Sequence, residues 1–185
     1  PDYWPRCYGL DVGYNWTACM WLAIDPNSKV VYTYDEYYVG QAVAAIHASA
    51  IRQRGDWIAG VIDPSSQQRS GTDGRSMLEI YHQEGLLLDL ANNAVETGIS
   101  KISNLLATGQ MKICKQSCPN LIKEFSTYRR DDKGKVAPKQ QDHALDAWRY
   151  AVMSGLDYAI TYEEATSQDN NQHESAHDSD PITGY

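Results

Sequence analysis

The 185-residue chain has no apolar run approaching 18 residues, which excludes a transmembrane helix on sequence grounds and leads us to expect no membrane partner. Its start, Pro1-Asp2-Tyr3-Trp4-Pro5, lacks both the basic and the apolar segments of a secretory signal. It also lacks an initiator Met, so we expect a piece of a longer protein. Cysteine is scarce: Cys7, Cys19, Cys114 and Cys118. Cys114 and Cys118 have no second close Cys/His pair, so the four ligands of a structural zinc site are not supplied. Reduced, buried thiols are the expectation. Positive charge is short as well, with 16 Lys and Arg against 24 Asp and Glu, a net charge of -8. Residues 163–185 hold six of the acids and no Lys or Arg, which leaves 18 acids against 16 bases, or -2, in the rest. That balance excludes a broadly polycationic nucleic-acid binder, but not a local basic face.

What is present fits one domain of modest size, over 1–160, followed by an acidic tail over 161–185 that is too poor in apolar residues to fold. Residues 6–14 read as a strand ending in a Gly turn, and 16–24 as a second strand. Asp25-Pro26-Asn27-Ser28 is a turn by composition, and 29–39 alternates as a third strand. These three predict an antiparallel meander. Val43, Ile46, His47, Ala50 and Ile51 then switch to helical spacing over 41–54. Next come a short buried strand over 57–62, a polar loop over 67–73, a helix over 74–83 and a strand at 86–88. Further helices are predicted over 94–108, 118–126 and 140–157, with an extended piece at 111–114. The order predicts an α/β fold: a central mixed sheet carrying a three-strand antiparallel meander, with helices on both faces.

Several acids stand out by position. Asp11 lies inside an apolar strand between Leu10 and Val12, where a carboxylate is costly unless paired or bound. Asp63 is the first polar residue after Val61-Ile62 and sits at a strand's carboxyl end. Asp142 and Asp146 fall four apart on the last helix, hence on one face, with His143 nearby. Carboxylates converging from different elements are what phosphodiester hydrolysis with two Mg2+ or Mn2+ ions requires. Plainer readings exist. Asp63 before Pro64 also suits a turn, Asp142 suits the N-cap of the last helix, and His143 suits a packing role.

Five segments taken in order resemble the carboxy-terminal nuclease domain of tailed-phage or prophage terminase large subunits, the DNA-packaging motors. They are Gly9-Leu10-Asp11-Val12-Gly13, Val61-Ile62-Asp63-Pro64-Ser65-Ser66, 70–76, Asn92-Asn93-Ala94-Val95-Glu96-Thr97-Gly98-Ile99, and Asp142-His143-Ala144-Leu145-Asp146-Ala147-Trp148-Arg149-Tyr150. The resemblance implies a ribonuclease-H-like fold and a metal-dependent endonuclease that cuts concatemeric double-stranded DNA. It also implies Mg2+ or Mn2+, as two ions, held by Asp11, Asp63 and Asp146 with Asp142 as a further ligand, and His143 beside them as a catalytic residue. The implied partners are double-stranded DNA, the ATPase domain of the same full-length protein, the portal and the small terminase subunit. The implied place is the host cytoplasm at the procapsid portal, with no retention in the virion. No G-x4-G-K-[ST] loop is present, so no ATP site of that kind is expected in this chain. A junction resolvase of the same fold, or a catalytically silent module docking on the portal, are the alternatives.

DNA contact is expected from local charge. Arg69 and Arg75 flank the loop after Asp63. Arg129, Arg130, Lys133, Lys135 and Lys139 form the densest basic run, with Lys133-Gly134-Lys135 as a hairpin tip. Contact through phosphates would be salt-sensitive and sequence-tolerant.

Overall fold

Strand β1 (Arg6–Val12) sits at the centre of the molecule because its two faces carry different residues, each matched by a partner layer. Cys7 packs with Ala18, Met20 and Leu22 on one face, while Tyr8 and Leu10 pack with Cys19 and Trp21 on the other. Strand β2 (Thr17–Ile24) is buried almost throughout, as befits a strand covered on both sides. The computed structural model describes residues 1–69, 71, 74–138 and 140–167.

Strands β1, β2 and β3 (Val31–Val39) form the expected antiparallel meander. Strands β4 (Gly60–Ile62) and β5 (Leu88–Leu90) add in parallel beside β1, and β6 (Met111–Ile113) adds in parallel beside β3. The sheet order is β5-β4-β1-β2-β3-β6. Helices α1 (Ala44–Arg52) and α2 (Met77–Gln83) cover one face. Helices α3 (Val95–Ala107), α4 (Pro119–Thr127) and α5 (His143–Met153) cover the other. The mixed sheet with helices on both faces is therefore as the sequence predicts.

Several boundaries differ: the helix expected over 41–54 is Ala44–Arg52 and that over 74–83 is Met77–Gln83, and three further elements shift as well. The strand expected over 57–62 begins at Gly60, whose missing Cβ is required because one would lie 2.3 Å from the Tyr8 ring. The strand expected at 86–88 pairs instead through Leu88–Leu90, with Asp89 exposed and in register with Val61. The last helix begins only at His143 and breaks at Ser154 into a 3-10 turn, Gly155–Tyr158. Cys7, Cys19 and Cys118 are buried, but Cys114 is exposed, against the expectation for that residue. The acidic tail opens with a helical turn over 162–167, where Thr161 and Glu164 cap one another, and its remainder lies outside the described residues. Among the described residues no helix is long and apolar enough to cross a membrane.

Helix α5 lies across β1 and β2 with Ala144, Ala147 and Ala151 against the sheet, and its Trp148 indole donates to Thr33 Oγ1 at 2.8 Å. At the crossing point stands Gly9. A Cβ there would lie 2.0 Å from the Ala147 carbonyl oxygen and 2.6 Å from the Ala151 nitrogen. Backbone rests on backbone, a close approach that only glycine allows. This contact sets the height of the α5 amino end above the carboxyl end of β1.

Candidate functional site

β1 and β4 are neighbouring parallel strands, and Asp11 and Asp63 lie at their carboxyl ends. The Asp63 amide still bonds the Leu10 carbonyl at 3.3 Å, so the two strands stay joined up to the site. β2 and β3 continue on the far side of β1, so this edge of β1 is where the sheet order reverses direction. Such switch points form crevices at strand carboxyl ends. α5 supplies the third wall. Its first turn carries His143 and Asp146 over Asp11.

Each carboxylate is held by a different neighbour. His143 Nδ1 lies 2.9 Å from Asp11 Oδ2. Asp63 accepts from the Ser65 amide at 3.2 Å and from the Ser65 hydroxyl, capping the 3-10 turn Pro64–Gln67. The turn-forming reading of Asp63 is thus correct. Asp146 Oδ1 accepts from Arg149 Nη2 at 2.7 Å and Nε at 3.3 Å, and Arg149 Nη1 donates to Asn93 Oδ1 at 3.0 Å. The Arg149 stem lies where a Cβ on Gly98 would sit, 2.5 Å from Cγ. That explains why the segment from Asn92 to Ile99 joins Asn and Gly: one holds the guanidinium and the other makes room for it.

The three carboxylates share one electrostatic neighbourhood. Burial pushes the Asp11 carboxyl up from its ordinary range, the His143 bond draws it back, and Asp146 and Asp63 push it up again. Burial raises the Tyr150 hydroxyl, and Asp146, Asp63 and Asp11 all add to that shift. The Asp11 bond raises His143, against burial. Among the described residues, however, no three His, Cys, Asp or Glu side chains are gathered around one point as metal ligands. The donors are nonetheless all-oxygen in kind, as hard divalent cations prefer.

Asp142 occupies the N-cap position, and its carbonyl accepts from the Asp146 amide at 2.7 Å, but its side chain makes no capping bond. Burial and then Asp146 push its carboxyl up, so it belongs to the same cluster. The cap is supplied instead by Glu124 of α4, which accepts from the Ala144 and Leu145 amides at 2.8 and 3.1 Å. Glu124, Tyr38, Arg149 and Asn93 do not stand out as site residues in the sequence. Glu124 gives no pattern signal, but the Arg149 spacing of three from Asp146 is a usable one. An open cleft of about 440 Å³, lined by Asn15, Trp16, Gly40, Gln41, Gln141 and His143, adjoins the site.

The basic residues divide. Arg130 and Val136 pair across a hairpin whose tip carries exposed Lys133 and Lys135, with the Asp131 side chain accepting both of their amides. Its base meets the site at Tyr128, whose hydroxyl is raised by burial and then by Asp146 and Asp142. Arg130 itself is committed to Glu96 by two bonds of 2.9 and 2.8 Å. The Arg129 amide donates to Gln140, 3.2 Å away. Arg69 pairs with Glu79 at 3.6 Å and Arg75 bonds Gln83 at 3.3 Å, both on α2. Lys139 lies outside the described residues.

A family model described as the terminase RNaseH-like domain matches residues 9–154. The terminase large subunit of Enterobacteria phage LP7 is 41% identical over 64 residues, 35% of this chain and 13% of that protein. The chain therefore aligns with only a small part of that relative's length. The nuclease domain of the P22 large terminase superposes with a TM-score of 0.78 at 25% identity, over 89% of this chain and 88% of that one. The nuclease domain of the large terminase g2p from bacteriophage SPP1, solved with bound Mn, shares the fold, with a TM-score of 0.59 at 20% identity over 80% of this chain and 84% of that one.

Proposed function

Because the chain belongs to the terminase RNaseH-like domain family, we propose that it is the endonuclease domain of a phage terminase large subunit, hydrolysing phosphodiesters of concatemeric double-stranded DNA during genome packaging with Mg2+ or Mn2+. The observation that carries this reading is that three separate elements bring acids to one end of the sheet: Asp11 and Asp63 at the carboxyl ends of the neighbouring parallel strands β1 and β4, and Asp146 on the first turn of α5, which His143 ties to Asp11. Mn bound to the SPP1 nuclease domain supports the choice of metal.

Asp11, Asp63 and Asp146 would hold the ions, with Asp142 as a further ligand. The bound metal supplies the activation of water and the stabilisation of the leaving oxygen. The chain's own groups do the rest. His143 orients Asp11 through the bond between Nδ1 and Oδ2. Arg149 fixes Asp146 through Oδ1 alone, so Oδ2 takes no part in that pairing. Lys133 and Lys135, and beyond the described residues Lys139, would contact phosphates, together with Arg129. Arg69, Arg75 and Arg130 would join them only by leaving their present partners. In the full-length protein the domain would work with an ATPase domain, the portal and the small terminase subunit, at the procapsid portal in the host cytoplasm.

The test is linearisation of supercoiled plasmid by this chain with Mn2+, set against a four-way junction substrate. Cutting of plain duplex that is lost in Asp11→Asn, Asp63→Asn and Asp146→Asn is the expected result. Preference for junctions would favour a resolvase. No cutting at all, with tight binding to a portal, would favour a silent docking module.

A further inference from the structure

We propose that Glu124, reaching from α4 to the first turn of α5, is a positioning residue that sets where His143 and Asp146 stand over β1. The inference rests on the reading of those two residues as part of a nuclease site.

The first amides of any helix lack partners within it and are satisfied by a cap. Asp142 is of the right type and in the right place to cap α5, yet its side chain does not. The Ala144 and Leu145 amides donate to Glu124 Oε2 instead, at 2.8 and 3.1 Å, and the Tyr38 hydroxyl donates to Oε1 at 2.8 Å. Glu124 is only 4% exposed, and a carboxylate so buried is tolerated where both oxygens are bonded. The Tyr38 ring in turn lies edge-on to the His143 ring, with centroids 6.4 Å apart.

α4 is held in the same way. Its N-cap, Cys118, makes no capping bond. Glu36 of β3 accepts from the Asn120 amide and side chain and from the Leu121 amide, at 2.8, 2.7 and 2.9 Å. The caps therefore form a relay from the sheet to α4, and from α4 to α5. A local cap travels with its helix and says nothing of where the helix lies. A cap from another element ties the helix end to that element. Here the tied end carries His143 at its first position and Asp146 one turn on, and the arrangement leaves the Asp142 carboxylate outside the capping scheme. A small displacement of such groups is enough to slow chemistry, and partners that orient ligands commonly matter about 10- to 100-fold.

The experiment uses the isotope-labelled chain with no metal and, separately, Mn2+-dependent plasmid cleavage. It compares Glu124→Ala with Glu124→Gln, whose amide oxygen can still accept from both helix amides. In Glu124→Ala, amide exchange at Ala144 and Leu145 should speed up, and the imidazole 15N signature of the His143–Asp11 bond should weaken. Its kcat should fall about 10- to 100-fold while KM for DNA stays unchanged. Glu124→Gln should restore all of these. The proposal is overturned if Glu124→Ala melts earlier but keeps the wild-type kcat and imidazole signature, since Glu124 would then be structural only. It is also overturned if Glu124→Gln keeps amide protection yet loses kcat as the alanine variant does. Should Glu124→Ala fail to fold, the glutamine variant decides alone. Should the wild-type chain cut no DNA, the proposed function fails, while the exchange and imidazole readings still decide the cap.

Discussion

His143 Nδ1 and Asp11 Oδ2 lie 2.9 Å apart, although 132 positions separate the two residues in the chain. The bond fastens the first residue of α5 to the carboxyl end of β1. It also gives a carboxylate inside an apolar strand the partner it requires. With Arg149 on Asp146 and Ser65 on Asp63, every acid of the trio is held by a group of the protein itself.

Those holds predict how metal acts on stability. Ions binding the folded state only should raise its stability, by about 2.7 kcal/mol when metal stands 100-fold above Kd. Thermal melts with and without Mn2+ should show the rise in the wild type. Asp146→Asn, which leaves the buried Arg149 guanidinium without its carboxylate, should melt below the wild type without metal and gain little from metal. Its cleavage should fall by more than the about 10- to 100-fold typical of outer-sphere partners.

DNA binding should separate the two kinds of basic residue. Each phosphate contact contributes about 0.9 to the slope of log affinity against log salt. Lys133→Ala with Lys135→Ala should therefore flatten the slope by about 2. Arg130→Ala, which breaks the bidentate pair with Glu96, should instead loosen the hairpin. Glu96→Gln, which releases Arg130, should instead steepen the slope, and fluorescence anisotropy at several salt concentrations reads all of them.

Gly9→Ala should be among the most damaging single changes in the molecule. The added methyl meets backbone atoms of Ala147 and Ala151, which cannot turn aside as a side chain does. A loss at or beyond the upper end of the about 1–3 kcal/mol typical of overpacking is expected from urea unfolding. Cleavage should be lost even where the variant still folds.

His47 predicts a pH response. It is buried between the Tyr37 hydroxyl at 2.8 Å and the Ala42 carbonyl at 3.1 Å, and burial holds its pKa below the ordinary value, against the Ala42 bond. The unfolded chain then binds the proton more readily, so stability rises with pH through this window. The contribution is complete above the unfolded value of about 6.5 and is lost as pH falls from there toward the folded pKa. Melting temperatures between those limits should drop as the pH is lowered in the wild type, and drop less in His47→Gln.

The meander, the flanking helices and the three acids were legible in the sequence because each leaves a local mark: alternation, helical spacing, or a charge inside an apolar run. Asp142 shows where such marks mislead. Its type and place announce a cap, but the bond is made by Glu124 from another helix. Glu124 and Glu36 serve partners 20 to 86 positions away, and no spacing rule spans such gaps. Arg130 reads as a phosphate contact in a basic run until Glu96, 34 positions distant, is seen to engage it. What the chain order hides is which polar groups answer one another, and burial is what forces those answers.

The contact at Gly9 has a consequence for how this site can change over time. Side chains at most core interfaces act as spacers of adjustable length, so substitutions shift the layers they separate. Where α5 meets β1 no spacer intervenes. The gap between the acid on the strand and the acid on the helix is gauged by the thickness of the main chain itself. Apolar residues elsewhere in the two cores can change size without resetting that gauge, while the tie to Glu124 governs only how the end of the helix sits above it.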